Sequence, residues 1–182
     1  VILADGSIIP ADIAVVGIGV VPDTALAEDA GLNINNGIAV NEFCRTSDNN
    51  IYAAGDCASF PHKGSTLRLE SVPNAIHQAE VAAENICSDP VEYVATPWFW
   101  SDQYDVKLQI AGLSTGYDST VVRPGKREGA QSIWYFSGEN LLAIDAMNDP
   151  ATYMAGRKII EAGKTIPRDV AADPTSNRKD WM

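Results

Sequence analysis

The chain opens on short apolar runs separated by turn residues. Val1 to Leu3 and Ser7 to Ile9 flank Asp5-Gly6, a strong hairpin-turn pair, and the nearly unbroken apolar run Ile13 to Val16 predicts a strand buried on both faces. After Pro22, Asp23 or Thr24 is placed to cap a short helix through Ala30, which Gly31 ends in a left-handed conformation. Asn36-Gly37 marks another turn before the short strand Ile38 to Val40. Ile51 to Ala54 predicts a second buried strand that stops at Gly55-Asp56, and Ser59 to Ser71 reads as a loop. Pro73 suits the first turn of a helix, and Ala75, Ile76, Ala79, Ala82, Ala83 and Ile86 keep helical spacing behind it.

Beyond this helix the texture changes. Ser88 to Pro97 is a polar, proline-containing connector and marks the best domain boundary. Val106, Leu108 and Ile110 alternate with polar neighbours, and Ser119 to Arg123, Ser132 to Ser137 and Leu141 to Ala146 predict further strands of a small sheet. Pro150 opens a last helix that Gly163 closes, with Arg157, Lys158 and Lys164 near its negative end. The fold class that follows is α/β followed by α+β. Ala171 to Met182 has no matching pattern and reads as an interaction tail or a mobile end.

Composition narrows the function classes. The 182 residues are 46% hydrophobic and 20% charged, which is ordinary for a globular chain. The net charge of -11 opposes bulk attraction to nucleic acid or anionic lipid, both of which require positive surface. The apolar runs are far shorter than the ~20 residues that span a bilayer, and the N-terminus has no basic signal pattern, so a cytoplasmic protein is expected. Cys44, Cys57 and Cys87 lack CxxC spacing and suggest reduced, mostly structural thiols, with no metal site. The chain starts in strand-like sequence without Met, as a piece of a longer protein does.

Three stretches carry chemistry. Thr46 to Asp56 reads Thr-Ser-Asp-Asn-Asn-Ile-Tyr-Ala-Ala-Gly-Asp: a strand delivering a carboxylate to its C-terminal edge, where Gly55 permits close approach and Asp56 can accept hydrogen bonds from sugar-like hydroxyls. Taken alone, Asp56 would more often cap the following turn. Arg68 to Ala75 forms a helix start, whose unpaired N–H groups and positive dipole end suit an electron-rich ligand edge. Pro97 to Asp105 packs four aromatic residues into seven positions, as the core of a small domain or a contact surface would.

The Thr46–Asp56 stretch resembles the second FAD-binding motif of the two-dinucleotide-domain flavoproteins. The other two resemble the flavin-facing segment and the start of the C-terminal domain in FAD-dependent ferredoxin reductases that serve cytochrome P450 and dioxygenase systems. The resemblance implies that residues 1–20 end an NAD-binding domain, 21–95 form the second half of an FAD-binding domain, and 96–182 form a reductase C-terminal domain with a mixed or antiparallel sheet and helix. It assigns cofactor binding to Gly55, Asp56, Val72, Pro73 and Trp98, with Trp98 and Trp100 near both the flavin and the partner's docking surface. It assigns no general acid or base and no metal ligand. The implied reaction moves a hydride from NADH to FAD and single electrons onward to a [2Fe-2S] ferredoxin or a rubredoxin-like carrier. Self-association through the C-terminal domain stays open, as does a docking patch of Arg68, Lys107 or Arg123.

Other readings are weaker. Gly17-Ile18-Gly19 is followed by Pro22 where a dinucleotide fingerprint needs glycine, so it is not a Rossmann loop. The GxGxxG loop for the FAD pyrophosphate is absent, so this chain by itself is expected to be inactive. His62 and His77 lack the His-Pro-Thr context of disulfide reductases, which disfavours that activity. A monodehydroascorbate reductase-like or apoptosis-inducing-factor-like flavoprotein would share Gly55-Asp56 but not the Pro97–Asp105 string. A C-terminal domain acting alone as a ferredoxin-docking module is the non-enzymatic alternative.

Overall fold

The computed structural model describes residues 1–181. Two hydrophobic cores organise the chain. The first gathers Val40, Cys44, Phe60, Val81, Ala82 and Tyr93; the second is built around Trp134, Phe136, Ile144, Tyr153 and Ile159.

In the first half, helix α1 (Ala25–Asp29) ends as expected, with Gly31 at φ +71°. Strands β1 (Ile38–Ala39), β2 (Ala58–His62) and β3 (Ser65–Arg68) form a sheet in that order, β1 parallel to β2 and β2 antiparallel to β3. The Asp5-Gly6 turn is present and joins Ile2 to Ile8 by an isolated bridge.

Several expectations fail here. Ile13 to Val16 is not a buried strand: the run pairs with no strand among the described residues, and Val15 is 95% exposed. A strand needs a neighbour about 5 Å away in the hydrogen-bonding direction, and apolar sequence alone does not supply one. For the same reason Ile51 to Ala54 makes only the single bridge of Tyr52 with Arg45. Conversely, the stretch read as a loop after Ser59 contains the β2–β3 hairpin, turning at Lys63 and Gly64, both at positive φ. Pro61 hides this strand in the sequence. The structure tolerates it because Pro61 lies beyond the two β2 residues that pair with β1. One parallel pair is thus the α/β content of the described residues.

Helix α2 (Val72–Cys87) has Ser71 as its N-cap, whose Oγ accepts from the Asn74 N–H at 3.3 Å. Its buried face is Asn74, Gln78, Val81, Ala82 and Asn85, so the stripe of Ala79, Ala83, Ile76 and Ile86 points outward, with Ile76 at 56% and Ile86 at 64% exposure. The connector behind it is fastened down. Asn85 Nδ2 donates to the carbonyls of Phe43 and Val91, its Oδ1 accepts from the Val91 N–H, and Tyr93 is buried.

The second half is a five-stranded antiparallel sheet of β4 (Trp98–Gln103), β5 (Val106–Gly112), β6 (Ser119–Pro124), β7 (Gln131–Ser137) and β8 (Asn140–Met147), in the order β4-β5-β8-β7-β6. Helix α3 (Pro150–Glu161) packs across β5 and β8. It is not the last helix. Helix α4 (Arg168–Ala172) and a 3-10 turn (Arg178–Asp180) follow, and the indole of the 5%-exposed Trp181 packs edge-on against Trp134. The segment read as a loose tail is therefore structural, because β6 and Trp134 provide a surface the sequence does not reveal. No helix among the described residues is long and apolar enough to cross a membrane.

Candidate functional site

The site is assembled around the N-terminal half of α2. Gly55 is buried at φ +84°, and a Cβ added there would stand 3.3 Å from Ala75 Cβ, so both backbone conformation and packing call for glycine. Its N–H donates to Gln78 Oε1 at 2.8 Å, and its carbonyl accepts the Ala58 N–H at 2.9 Å, closing the turn.

Asp56 follows and is exposed. Its carbonyl accepts from Arg68 Nη1 at 3.2 Å, while its carboxylate makes no hydrogen bond or ion pair among the described residues. The turn is closed by backbone alone, so Asp56 does not serve as its cap. A carboxylate delivered to the surface by a locked turn, with its acceptor capacity unspent, is suited to a ligand.

Val72, the first residue of α2, is 58% exposed, and Pro73 is half-buried beside it. The expectation of several free N–H groups needs correction. Pro73 has none, Ser71 caps Asn74, and Ala75 bonds the Ser71 carbonyl, leaving only the Val72 N–H without a partner among the described residues. What remains for a ligand is that one donor and the positive end of a 16-residue helix.

Across from α2, Trp98 opens β4 and lies half-buried against Trp100, with ring centroids 5.5 Å apart and planes 29° from parallel. The Arg157 guanidinium stands 4.8 Å over the Trp98 ring and pairs with Glu161 at 2.6 Å. Pro73, Asn74 and His77 from α2, Tyr93 and Thr96 from the connector, and Trp98 line one cleft of about 120 Å³. The structure thus brings Pro73 and Trp98 to a shared wall, and Gly55 is tied to the same helix through Gln78.

Tyr93 ties the cleft together: its hydroxyl donates to Asn74 Oδ1 at 2.6 Å, and Asn74 Nδ2 donates to the Leu69 carbonyl at 3.1 Å. Burial, and then proximity to Cys44, push the Tyr93 phenol up to about 12. It holds its proton and acts as a fixed donor.

Sequence reasoning missed Gln78, Tyr93 and Arg157. Gln78 had a signal, an amide inside an alanine-rich helical stretch; Arg157 had none, since its partner ring lies 59 positions earlier. Among the proposed docking cations, Arg123 is only 2% exposed, which removes it from any surface patch. Arg68 pairs with Glu70, and Lys107 lines a separate cleft with Asp105 and Arg127.

Residues 1–79 match the family model described as Pyridine nucleotide-disulphide oxidoreductase, and residues 98–182 match the one described as Reductase C-terminal. Rhodocoxin reductase of Rhodococcus erythropolis is 46% identical over 170 residues, 92% of this chain and 40% of that protein. A crystal structure of a ferredoxin reductase from Rhodopseudomonas palustris matches with a TM-score of 0.90 and 41% identity, covering 98% of this chain and 45% of that one. The reductase in the covalent putidaredoxin reductase-putidaredoxin complex matches at 0.86 and 39%, over 98% and 43% of the two chains. The chain spans less than half the length of these relatives. The two family models and these relatives together account for nearly the whole chain, and the chain belongs to the ferredoxin reductase family of pyridine nucleotide oxidoreductases.

Proposed function

We propose that this chain supplies the ribityl-binding turn and the electron-exit side of an NADH-dependent ferredoxin reductase. In this reading residues 1–20 complete the NAD-binding domain, 21–95 form the second half of the FAD-binding domain, and 96–182 form the C-terminal domain. The observation that carries it is the exposed Asp56 carboxylate, without a partner among the described residues, on a turn tied to α2 through Gln78.

These residues fit FAD. Asp56 accepts hydrogen bonds from ribityl hydroxyls, and Gly55 allows the chain to lie close. Val72 and Pro73 present an apolar edge beside the positive end of α2, where electron-rich ring atoms are favoured. Trp98, backed by Trp100 and covered by Arg157, excludes water from the cleft wall. FAD, when bound, accepts a hydride from NADH and releases electrons singly; the protein contributes binding, orientation and electrostatics. No residue of this chain is required to move a proton. The electron acceptor is a [2Fe-2S] ferredoxin or rubredoxin-like carrier of a P450 or dioxygenase system. The complex of a relative with putidaredoxin supports that partner class.

The test is a titration of the purified chain with FAD, followed by quenching of flavin fluorescence. FAD is expected to bind, and Asp56→Ala to weaken binding by about tenfold or more, the loss of a hydrogen bond to a charged group. Equal binding by Asp56→Ala would overturn the assignment.

A further inference from the structure

Gln78 is completely buried in α2, yet only half of its amide is used. Oε1 accepts the Gly55 N–H at 2.8 Å, while Nε2 is enclosed with no nitrogen or oxygen acceptor among the described residues and faces only the Cys44 thiol. This orientation is chemically determined, because turning the amide over would set an NH2 group against the Gly55 N–H. Buried amides seldom leave a donor unmatched. The other two on this face of α2 do not: Asn74 donates to Leu69 and accepts from Tyr93, and Asn85 bonds Phe43 and both backbone groups of Val91.

What Gln78 holds is specific. The Gly55 turn is already closed by its own bond to Ala58, so Gln78 adds nothing to the turn's internal shape. It adds the tie between turn and helix. Ala75, one turn before Gln78, fills the space that a side chain on residue 55 would need, so Gly55 is pinned at two successive levels of α2.

We propose that Gln78 is a positioning residue of the flavin site: through Gly55 it sets the Asp56 carboxylate relative to the start of α2, so that the ribityl-binding and ring-facing parts act as one unit. The proposal rests on the flavin reading above. Gln78 does not touch the cofactor; it acts through the Gly55 N–H.

The experiment compares the full 182-residue chain with Gln78→Met, which keeps length but removes the acceptor, and Gln78→Glu, which keeps an acceptor toward Gly55 in either protonation state. Two quantities are measured: amide hydrogen exchange at Gly55 without flavin, and FAD affinity by fluorescence. Gln78→Met should speed Gly55 exchange and weaken FAD binding, each by about tenfold, and Gln78→Glu should restore both. Asn85→Leu, a control at another buried amide of the same helix, should lower thermal stability while leaving FAD affinity and Gly55 exchange unchanged. Should Gln78→Met fail to fold, Gln78→Asn decides, because its amide is one methylene too short to reach Gly55. If wild-type chain binds FAD and the acceptor-removing variant binds it equally, or protects Gly55 equally, the positioning role is wrong and the flavin reading survives. If wild-type chain does not bind FAD, Gly55 exchange decides the positioning role: equal protection in Gln78→Met overturns it.

Discussion

Arg123 is in β6, on the less exposed face with Ser119 and Val121, and its guanidinium is enclosed by the chain end. It donates to the carbonyls of Val170, Ala171, Asp173, Pro174 and Ser176 and to Ser176 Oγ, and it stands 4.7 Å over the Trp181 ring. Removing the cation strands those acceptors, so Arg123→Met should cost about 2–4 kcal/mol in urea unfolding of the chain. Hydrogen exchange over α4 should rise in the same variant. Asp56 predicts the opposite. Its carboxylate holds nothing in the fold, so Asp56→Ala should change unfolding stability by no more than ~0.5 kcal/mol, even as it weakens FAD binding. Equal stability losses in the two variants would mean that Asp56 is a structural residue.

The helices show how element identity and element orientation separate. Spacing and Pro73 locate α2 to within a residue or two, but an alanine-rich helix has no strongly marked face, and the structure buries its amides instead. The reason is that Phe43, Gly55, Leu69 and Val91 present backbone groups that need partners, and only Asn74, Gln78 and Asn85 can satisfy them. Helix α3 is better marked: Asp149 caps it, accepting from the Thr152 N–H at 3.1 Å and from the Thr152 hydroxyl at 2.6 Å. Its Gly156 lies against the sheet, where a Cβ would meet Ile144 Cδ1 at 2.8 Å and the Trp134 ring at 3.3 Å. Alanine would gain ~1 kcal/mol of helix propensity but pay overpacking of about 1–3 kcal/mol, so Gly156→Ala should be net destabilising by thermal melting. A raised melting temperature would show that the Ile144 and Trp134 side chains give way to the added methyl.

For the whole molecule, the buried acids set the alkaline limit. Burial pushes the Cys44 thiol from 9.0 to about 11, and burial first pushes Tyr93 and Tyr135 from 10.0 to about 12. In each case the folded state holds the proton more tightly than the unfolded chain. The stability these groups contribute is complete below pH 9, and it is lost as pH rises through about 11 for the thiol and about 12 for the phenols. Urea midpoints should therefore be insensitive to these groups between pH 7 and 9 and fall steeply above that range. A midpoint unchanged up to pH 11 would contradict the burial of Cys44.

Short-range features were legible in the sequence because they are local physics: the Asp5-Gly6 and Asn36-Gly37 turns, the prolines that open α2 and α3, the alternation of β5 to β8, and the Gly55-Asp56 pair followed by an aromatic strand. Partnership was not, since it depends on which groups the rest of the chain brings close. Ile13 to Val16 has the composition of a buried strand and no neighbour to pair with, whereas Pro61 sits inside a real one. Trp181 looked like part of a loose end until Trp134 and Arg123 gave it a socket. The sequence by itself determined the turns, the helix starts and the strands of the second half. Only the tertiary structure decided which faces are buried, that Gln78 holds the Asp56 turn, and that Trp98 shares a cleft with Pro73, because those facts rest on contacts between positions far apart in the chain.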